Sequence, residues 1–269
     1  MSYQHTDWLL PFILVIAMLA AYLVAAYRQR GKTRSWSDRR TACFALGIAV
    51  LVIAIIPPVA DFAHHDLRGH MIQHLLIGML APLGLVFAAP VTLALKALPA
   101  AAGRYVVVFL HAPLIGYLSQ PLTALLLNVG GMYLLYLTPL YAASLTSPAL
   151  HTLVHIHFVI AGCLFTWAIA GPDPGPRRPG LRFRLWVLFV SMAMHATLAK
   201  LMYAYRWPRG THHTPEEIQS AAQLMYYGGD LTELVLVIML FRLWYRNQKT
   251  LKTAGPLQRK ERLKTTLPI

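Results

Sequence analysis

Apolar residues run in blocks of about twenty along this chain, separated by short polar or basic segments. The blocks lie at about 8–27, 41–60, 70–95, 121–144, 149–171, 185–206 and 219–245. About 20 apolar residues are enough to cross the hydrocarbon core of a bilayer as a helix. The pattern therefore predicts an all-α, polytopic membrane helix bundle of seven transmembrane helices, read as a single membrane domain over 1–269. The block at 104–118 is apolar but short, and Pro99, Pro113 and Pro121 bound it. It is expected to be a half-helix or the broken start of span four. Gly171-Pro172-Asp173-Pro174-Gly175-Pro176 is a rigid turn that ends span five.

Composition sharpens this picture. The chain is 57% hydrophobic and 13% charged, with a mean hydropathy of +0.51, whereas a soluble domain carries about 25% charge. The net charge of +14 raises nucleic acid as a partner, but the basic residues cluster in the short segments between spans, where an anionic leaflet suits them better. They fall at Arg28, Arg30, Lys32, Arg34, Arg39 and Arg40, at Lys96 and Arg104, at Arg177, Arg178, Arg182 and Arg184, and from Arg242 onward. Only Arg68, Arg206 and Arg209 belong to the opposite loops. The positive-inside rule then places the N-terminus outside and the C-terminus in the cytoplasm, and 246–269 becomes a basic cytoplasmic tail. Met1–Asp7 has no basic region and no small-residue cleavage site, so the first block is expected to be a retained helix. Cys43 and Cys163 are the two cysteines and form no C-x-x-C, which removes thiol–disulfide exchange as a leading function.

The chemistry lies in the histidines. His70 and His74 are four apart, so both imidazoles share one helical face, and His151 and His155 repeat the spacing at the start of span five. In the predicted topology both pairs lie at the outer end, with His195 near the middle of span six. Ionisable groups at membrane depth are costly and mark sites or pathways. His70, His74, His151, His155 and His195 are therefore the candidate metal ligands. His64, His65, Asp66, Met71, Met202, Gln223, Met225 and Asp230 are accessory candidates. His111 and His157 each have a simpler expected role, donating to a carbonyl. Imidazole suits several transition metals and thioether favours copper(I), so copper is the expected occupant. No H-E-x-x-H occurs, which disfavours a zinc protease. In spans six and seven, Gln223, Tyr226 or Tyr227, Asp230 and Glu233 recur on one face, and Lys200 lies at the depth of Asp230. A Lys200–Asp230 ion pair is expected, with Glu233 protonated or hydrogen-bonded.

These residues resemble the polytopic CtaG family of bacterial cytochrome c oxidase assembly proteins. The resemblance is carried by His70-Met71-Ile72-Gln73-His74 running on to Ala81-Pro82-Leu83, by Pro139-Leu140-Tyr141, and by His151-Thr152-Leu153-Val154-His155. Gly162-Cys163-Leu164-Phe165-Thr166-Trp167, Gly171-Pro172-Asp173-Pro174, His195 and Ala222-Gln223-Leu224-Met225-Tyr226-Tyr227-Gly228-Gly229-Asp230 complete it. It covers about residues 40 to 245. It implies a non-enzymatic, multi-pass protein of the bacterial inner membrane that helps mature a haem–copper oxidase by handling copper at the outer face. The implied partners are oxidase subunits and an extracytoplasmic copper chaperone. Carry-over is confined to His70, His74, His151, His155, His195, Gln223 and Asp230. Where family members often carry Trp-His before the proline of span four, this chain has Leu137-Thr138. Two alternatives stand beside the metallochaperone. A haem b protein would use histidines of facing helices as axial ligands; a copper permease would need ligands continuing inward, for which only His111 and Cys163 are available. A hydrolytic metal site lacks a carboxylate base beside the histidine pairs, Asp66 being the nearest.

Overall fold

In a computed structural model, the structure describes residues 9–31, 35–175 and 178–253. The expectations placed on Met1–Asp7, Lys32, Arg34, Arg177 and 254–269 lie outside the described residues. Every regular element among the described residues is a helix. In chain order these are α1 (Leu9–Arg28), α2 (Asp38–Ile55), α3 (Pro57–His65), α4 (Leu67–Ala97), α5 (Ala100–Leu110) and α6 (Pro113–Leu118). Then come α7 (Pro121–Leu137), α8 (Leu140–Thr146), α9 (Pro148–Ala170), α10 (Leu181–Tyr205) and α11 (Pro215–Thr253).

Five of these helices, α1, α4, α9, α10 and α11, are long and apolar enough to cross a membrane alone. Two bent pairs, α2–α3 at 54° and α7–α8 at 78°, bring the number to seven where each pair crosses as one broken span. The breaks have local causes. Ile56 precedes Pro57, which disfavours the helical region for it, and it takes φ −63°, ψ 145°. Pro139 likewise forces Thr138 out of the helix, to φ −127°, ψ 172°. The continuous span expected at 121–144 is thus two helices. The apolar α5, at 11 residues, is too short to cross. Span seven is longer than its apolar block, so the first part of the expected tail, 246–253, continues α11.

Polar side chains fix the helix starts at the histidine-bearing end. Asp66 caps α4 by accepting from the Arg68 backbone N–H at 2.8 Å. Ser147 caps α9, where Pro148 occupies the first turn. Thr214 and Glu217 form a capping box at α11, with bonds of 3.2 and 3.3 Å. At the opposite end, α4 is interrupted where Ala89 takes a left-handed φ of 54° before Pro90. Asp173 reaches this restart from the loop after α9. It accepts from the Val91 and Thr92 N–H groups at 3.0 and 2.7 Å and from Thr92 Oγ1 at 2.6 Å. Arg178 holds the same loop by donating to the carbonyls of Gly171 and Asp173. What reads in sequence as a turn is therefore also the cap of another helix.

Helix α4 is the hub, packing on α2, α3, α9 and α11, while α10 lies along α11. Gln73 ties it to α2 through an Nε2–H donated to the Ala54 carbonyl at 2.7 Å. Large apolar side chains also cover the outside of the bundle: Phe189, Val108 and Leu231 are 69%, 69% and 64% exposed. Apolar helices with apolar outer faces belong in lipid, and the chain is a multi-pass membrane protein.

Candidate functional site

The site begins with a defect in α4. Immediately after His74 the helix opens into a π turn at Leu76–Leu80, a feature frequent at functional sites. Gly162 of α9 lies against the carbonyl of Gly78 within that turn, and any Cβ there would overlap it. The missing side chain lets α9 approach α4 closely and brings His155 opposite the α4 pair. His70, His74 and His155 line one small cavity with Ile77, Val154 and Phe158. Its free volume admits roughly one water-sized particle.

His70 and His74 are 3% and 5% exposed. Both ring nitrogens of His70 are buried without a hydrogen-bond partner. A buried polar atom left unsatisfied costs about 1–3 kcal/mol, and aromatic rings enclose His70. The rings of Tyr141 and Tyr136 pack edge-on against it at 4.8 and 6.0 Å. His74 Nε2 lies 3.1 Å from the Met132 sulfur, and Phe158 packs on its ring at 4.7 Å. His151, one turn nearer the helix end, contacts His155 at 4.2 Å and stacks on His64 of α3 at 4.6 Å.

The other candidates separate into different roles. His195 is 1% exposed, and both its ring nitrogens are also unpartnered, but it does not line the cavity. Its ring packs against Gly229 of α11, where a Cβ would overlap the imidazole. His65 is exposed and bonded to the Asp61 carbonyl of its own helix at 2.7 Å. Asp66 is the α4 cap and pairs with Arg68, whose hydrogen bonds hold its carboxyl below the usual carboxylate range. Met71, Met202 and Met225 are fully buried away from the cavity. The Tyr136 hydroxyl faces the Met71 sulfur at 4.0 Å. His157 bonds the Leu127 carbonyl and His111 the Val107 carbonyl, at 3.0 and 2.8 Å.

Two expectations on α11 are corrected. Among the described residues no ion pair joins Lys200 to Asp230. Lys200 is exposed and its ammonium lies over the Tyr226 ring at 5.5 Å, because its long stem carries the charge to the bundle surface. The inward face of α11 is Ala222, Met225, Gly229, Glu233 and Leu236, not the face carrying Gln223 and Tyr227, which are exposed. On that inward face the Ser191 hydroxyl donates to Glu233 Oε1 at 3.2 Å.

Met132, Tyr136 and His213 enter the site without a signal in the sequence, whereas Tyr141 ends the Pro139-Leu140-Tyr141 motif but is not among the site residues expected from the sequence. Tyr141 Oη and His213 Nε2 share a hydrogen bond at 3.1 Å, and His213 Nδ1 faces Glu217 at 3.3 Å. This Glu–His–Tyr chain fixes Tyr141 over His70. Met132 follows a second π turn, Leu126–Gly130. It comes from the helix in which the Leu137-Thr138 departure left no histidine.

Among the described residues no three His, Cys, Asp or Glu side chains are arranged to hold one ion. The cavity's imidazoles suit several transition metals, and the thioether beside His74 is its one soft donor. An open imidazole at His70, a second at His74 beside a thioether, and a third at His155 are nitrogen and sulfur donors of the kind copper(I) takes.

The family model for the cytochrome c oxidase caa3 assembly factor (Caa3_CtaG) matches residues 20–247. The chain belongs to this family. The match contains every residue that lines the cavity. Uncharacterised proteins of Mycobacterium bovis and Mycobacterium tuberculosis are each 36% identical to it over 191 residues. One of Mycobacterium leprae is 33% identical over 188. These alignments cover 67–68% of this chain but 28% of each relative, so this Caa3_CtaG chain spans little more than a quarter of their length. No solved structure matches it.

Proposed function

We propose that this chain serves the assembly of a caa3-type haem–copper oxidase by holding a copper ion as cargo in the His70–His74–His155 cavity. It acts as a carrier rather than an enzyme, in the bacterial cytoplasmic membrane, with the N-terminus and the histidine end outside. The skew of basic residues toward the other end supports that orientation. An extracytoplasmic copper chaperone is the proposed donor, and an oxidase subunit the recipient. The observation that carries the reading is His70, which lines the cavity with two further imidazoles and whose two buried ring nitrogens have no hydrogen-bond partner.

Two features favour this over the alternatives. The cavity admits about one water-sized particle, and a porphyrin would require the α4–α9 contact to open by the width of a ring system. His111 is exposed and engaged with its own helix, so it extends no ligand path toward the other membrane face, as a permease would need. The test is metal analysis of the purified chain after exposure to copper(I), wild type against His70→Ala/His74→Ala. The variant should lose most of its copper, and unchanged content would refute the assignment. A Soret band in the wild type would favour haem instead.

A further inference from the structure

We infer that the end of the bundle opposite the histidine cavity binds the phosphate of an anionic phospholipid headgroup through Arg178 and Arg184. The inference does not depend on the cavity's cargo.

Both arginines are half-buried and gather at the end of α9. Arg184, in the first turn of α10, donates Nη1–H to the Ile169 carbonyl at 2.9 Å. Arg178, in the loop between the two helices, donates to the carbonyls of Gly171 and Asp173. Capping the last carbonyls of α9 explains their position but does not balance their charge. A helix C-terminus offers about half a negative charge, against two guanidiniums. Burial and the neighbouring Arg184 charge push the Arg178 guanidinium down to about 10, and Asp173 opposes the shift. Both carboxylate oxygens of Asp173 are already taken by Val91 and Thr92. Among the described residues neither arginine makes an ion pair. Each keeps a spare donor, since Arg178 Nε and Arg184 Nη2 make no hydrogen bond and neither is shut away from the surface. Excess positive charge with free planar donors suits an oxyanion of the phosphate type.

The surroundings select a lipid over a free phosphate. Phe183 and Trp186, on either side of Arg184 in sequence, are 39% and 55% exposed, with their rings 6.3 Å apart. Phe189, a turn further along α10, is also exposed. Tryptophan collects at the level of the headgroups, so a phosphate held at Arg184 would have its acyl chains beside this apolar strip. Basic pockets between membrane helices take anionic headgroups in the same way.

The test titrates the full purified chain, in uncharged detergent, with phosphatidylglycerol, phosphatidylcholine or inorganic phosphate. Binding is read by native mass spectrometry and by the unfolding midpoint. Phosphatidylglycerol should bind saturably and raise the midpoint, and phosphatidylcholine should do neither. Arg178→Gln/Arg184→Gln should weaken phosphatidylglycerol binding by about tenfold or more, the worth of one charge-assisted hydrogen bond. Arg39→Gln/Arg104→Gln removes the same charge from exposed positions at the same end and should leave binding unchanged. Arg184→Lys keeps the charge and a donor for Ile169 but not the free Nη2; it should fold as wild type does and still bind more weakly. Equal weakening by the two double variants would mean diffuse attraction and overturn the site. Unchanged affinity in Arg184→Lys, or equal binding of phosphatidylcholine, would overturn it too. A midpoint raised as far by inorganic phosphate as by phosphatidylglycerol would overturn the assignment to a lipid.

Discussion

Substituting Gly229 with alanine should destabilise the protein, although the same change elsewhere in a helix stabilises it. Replacing a helical glycine by alanine normally gains about 0.5–1 kcal/mol through backbone entropy. At Gly229 the new Cβ would overlap the imidazole of His195, with even its Nε2 atom at 3.1 Å. His195 is 1% exposed, so the ring cannot swing into free space. Overpacking of this kind costs about 1–3 kcal/mol, which exceeds the propensity gain. Gly103, in α5, is the internal control: nothing lies within 4 Å of its Cβ position, and Gly103→Ala should gain the full propensity term. Reversible unfolding in detergent should therefore place the two variants about 1–3 kcal/mol apart, on either side of wild type. Combining Gly229→Ala with His195→Ala removes the obstructing ring, so the glycine change should become favourable in that background. The resulting coupling is what a double-mutant cycle measures. Equal stabilisation by Gly229→Ala and Gly103→Ala, or no coupling to His195, would refute the packing argument.

Asp66→Ala should cost about 1 kcal/mol by removing the α4 cap, measured as a lowered unfolding midpoint at pH 7. Because Arg68 holds the Asp66 carboxyl below its usual range, this contribution is fully present above about pH 4. It is lost as the pH falls through the folded-state value, so wild type and Asp66→Ala should converge in acid; a gap that persists there would refute the cap assignment. Asp173→Ala should be destabilising by about 1–2 kcal/mol, the upper range for a cap, since it leaves three donors at Val91 and Thr92 without their acceptor. Asp173→Asn, which keeps acceptor oxygen, should recover part of it. Lys200→Ala and Asp230→Ala should be additive to within about 0.3–0.5 kcal/mol, and a larger coupling energy would reinstate the ion pair.

The limits of the membrane helices were legible because apolar run length is a one-dimensional property of the chain. The ends of α4, α9 and α10 fall within a few residues of the blocks at 70–95, 149–171 and 185–206. The bends at Ile56–Pro57 and Thr138–Pro139 were not taken from the same pattern, since hydropathy is continuous across them even though proline dictates them. The histidine pairs were legible for a related reason: a four-residue spacing fixes a shared face whatever the helix packs against. Rotation of one helix about its axis relative to another is a different quantity. It decided that α11 turns Gly229 and Glu233 inward and Gln223 outward, and that Lys200 meets Tyr226 instead of Asp230. Small residues set that rotation: Gly162 against Gly78 and Gly229 against His195 are where backbones or rings approach too closely for any side chain. The two π turns act likewise, one following His74 and one preceding Met132. Each inserts an extra residue per turn and so shifts every face beyond it by about 100°. A face assigned by counting from one side of such a turn is therefore wrong on the other, which is why His74 could be placed from sequence while its thioether neighbour, Met132, could not.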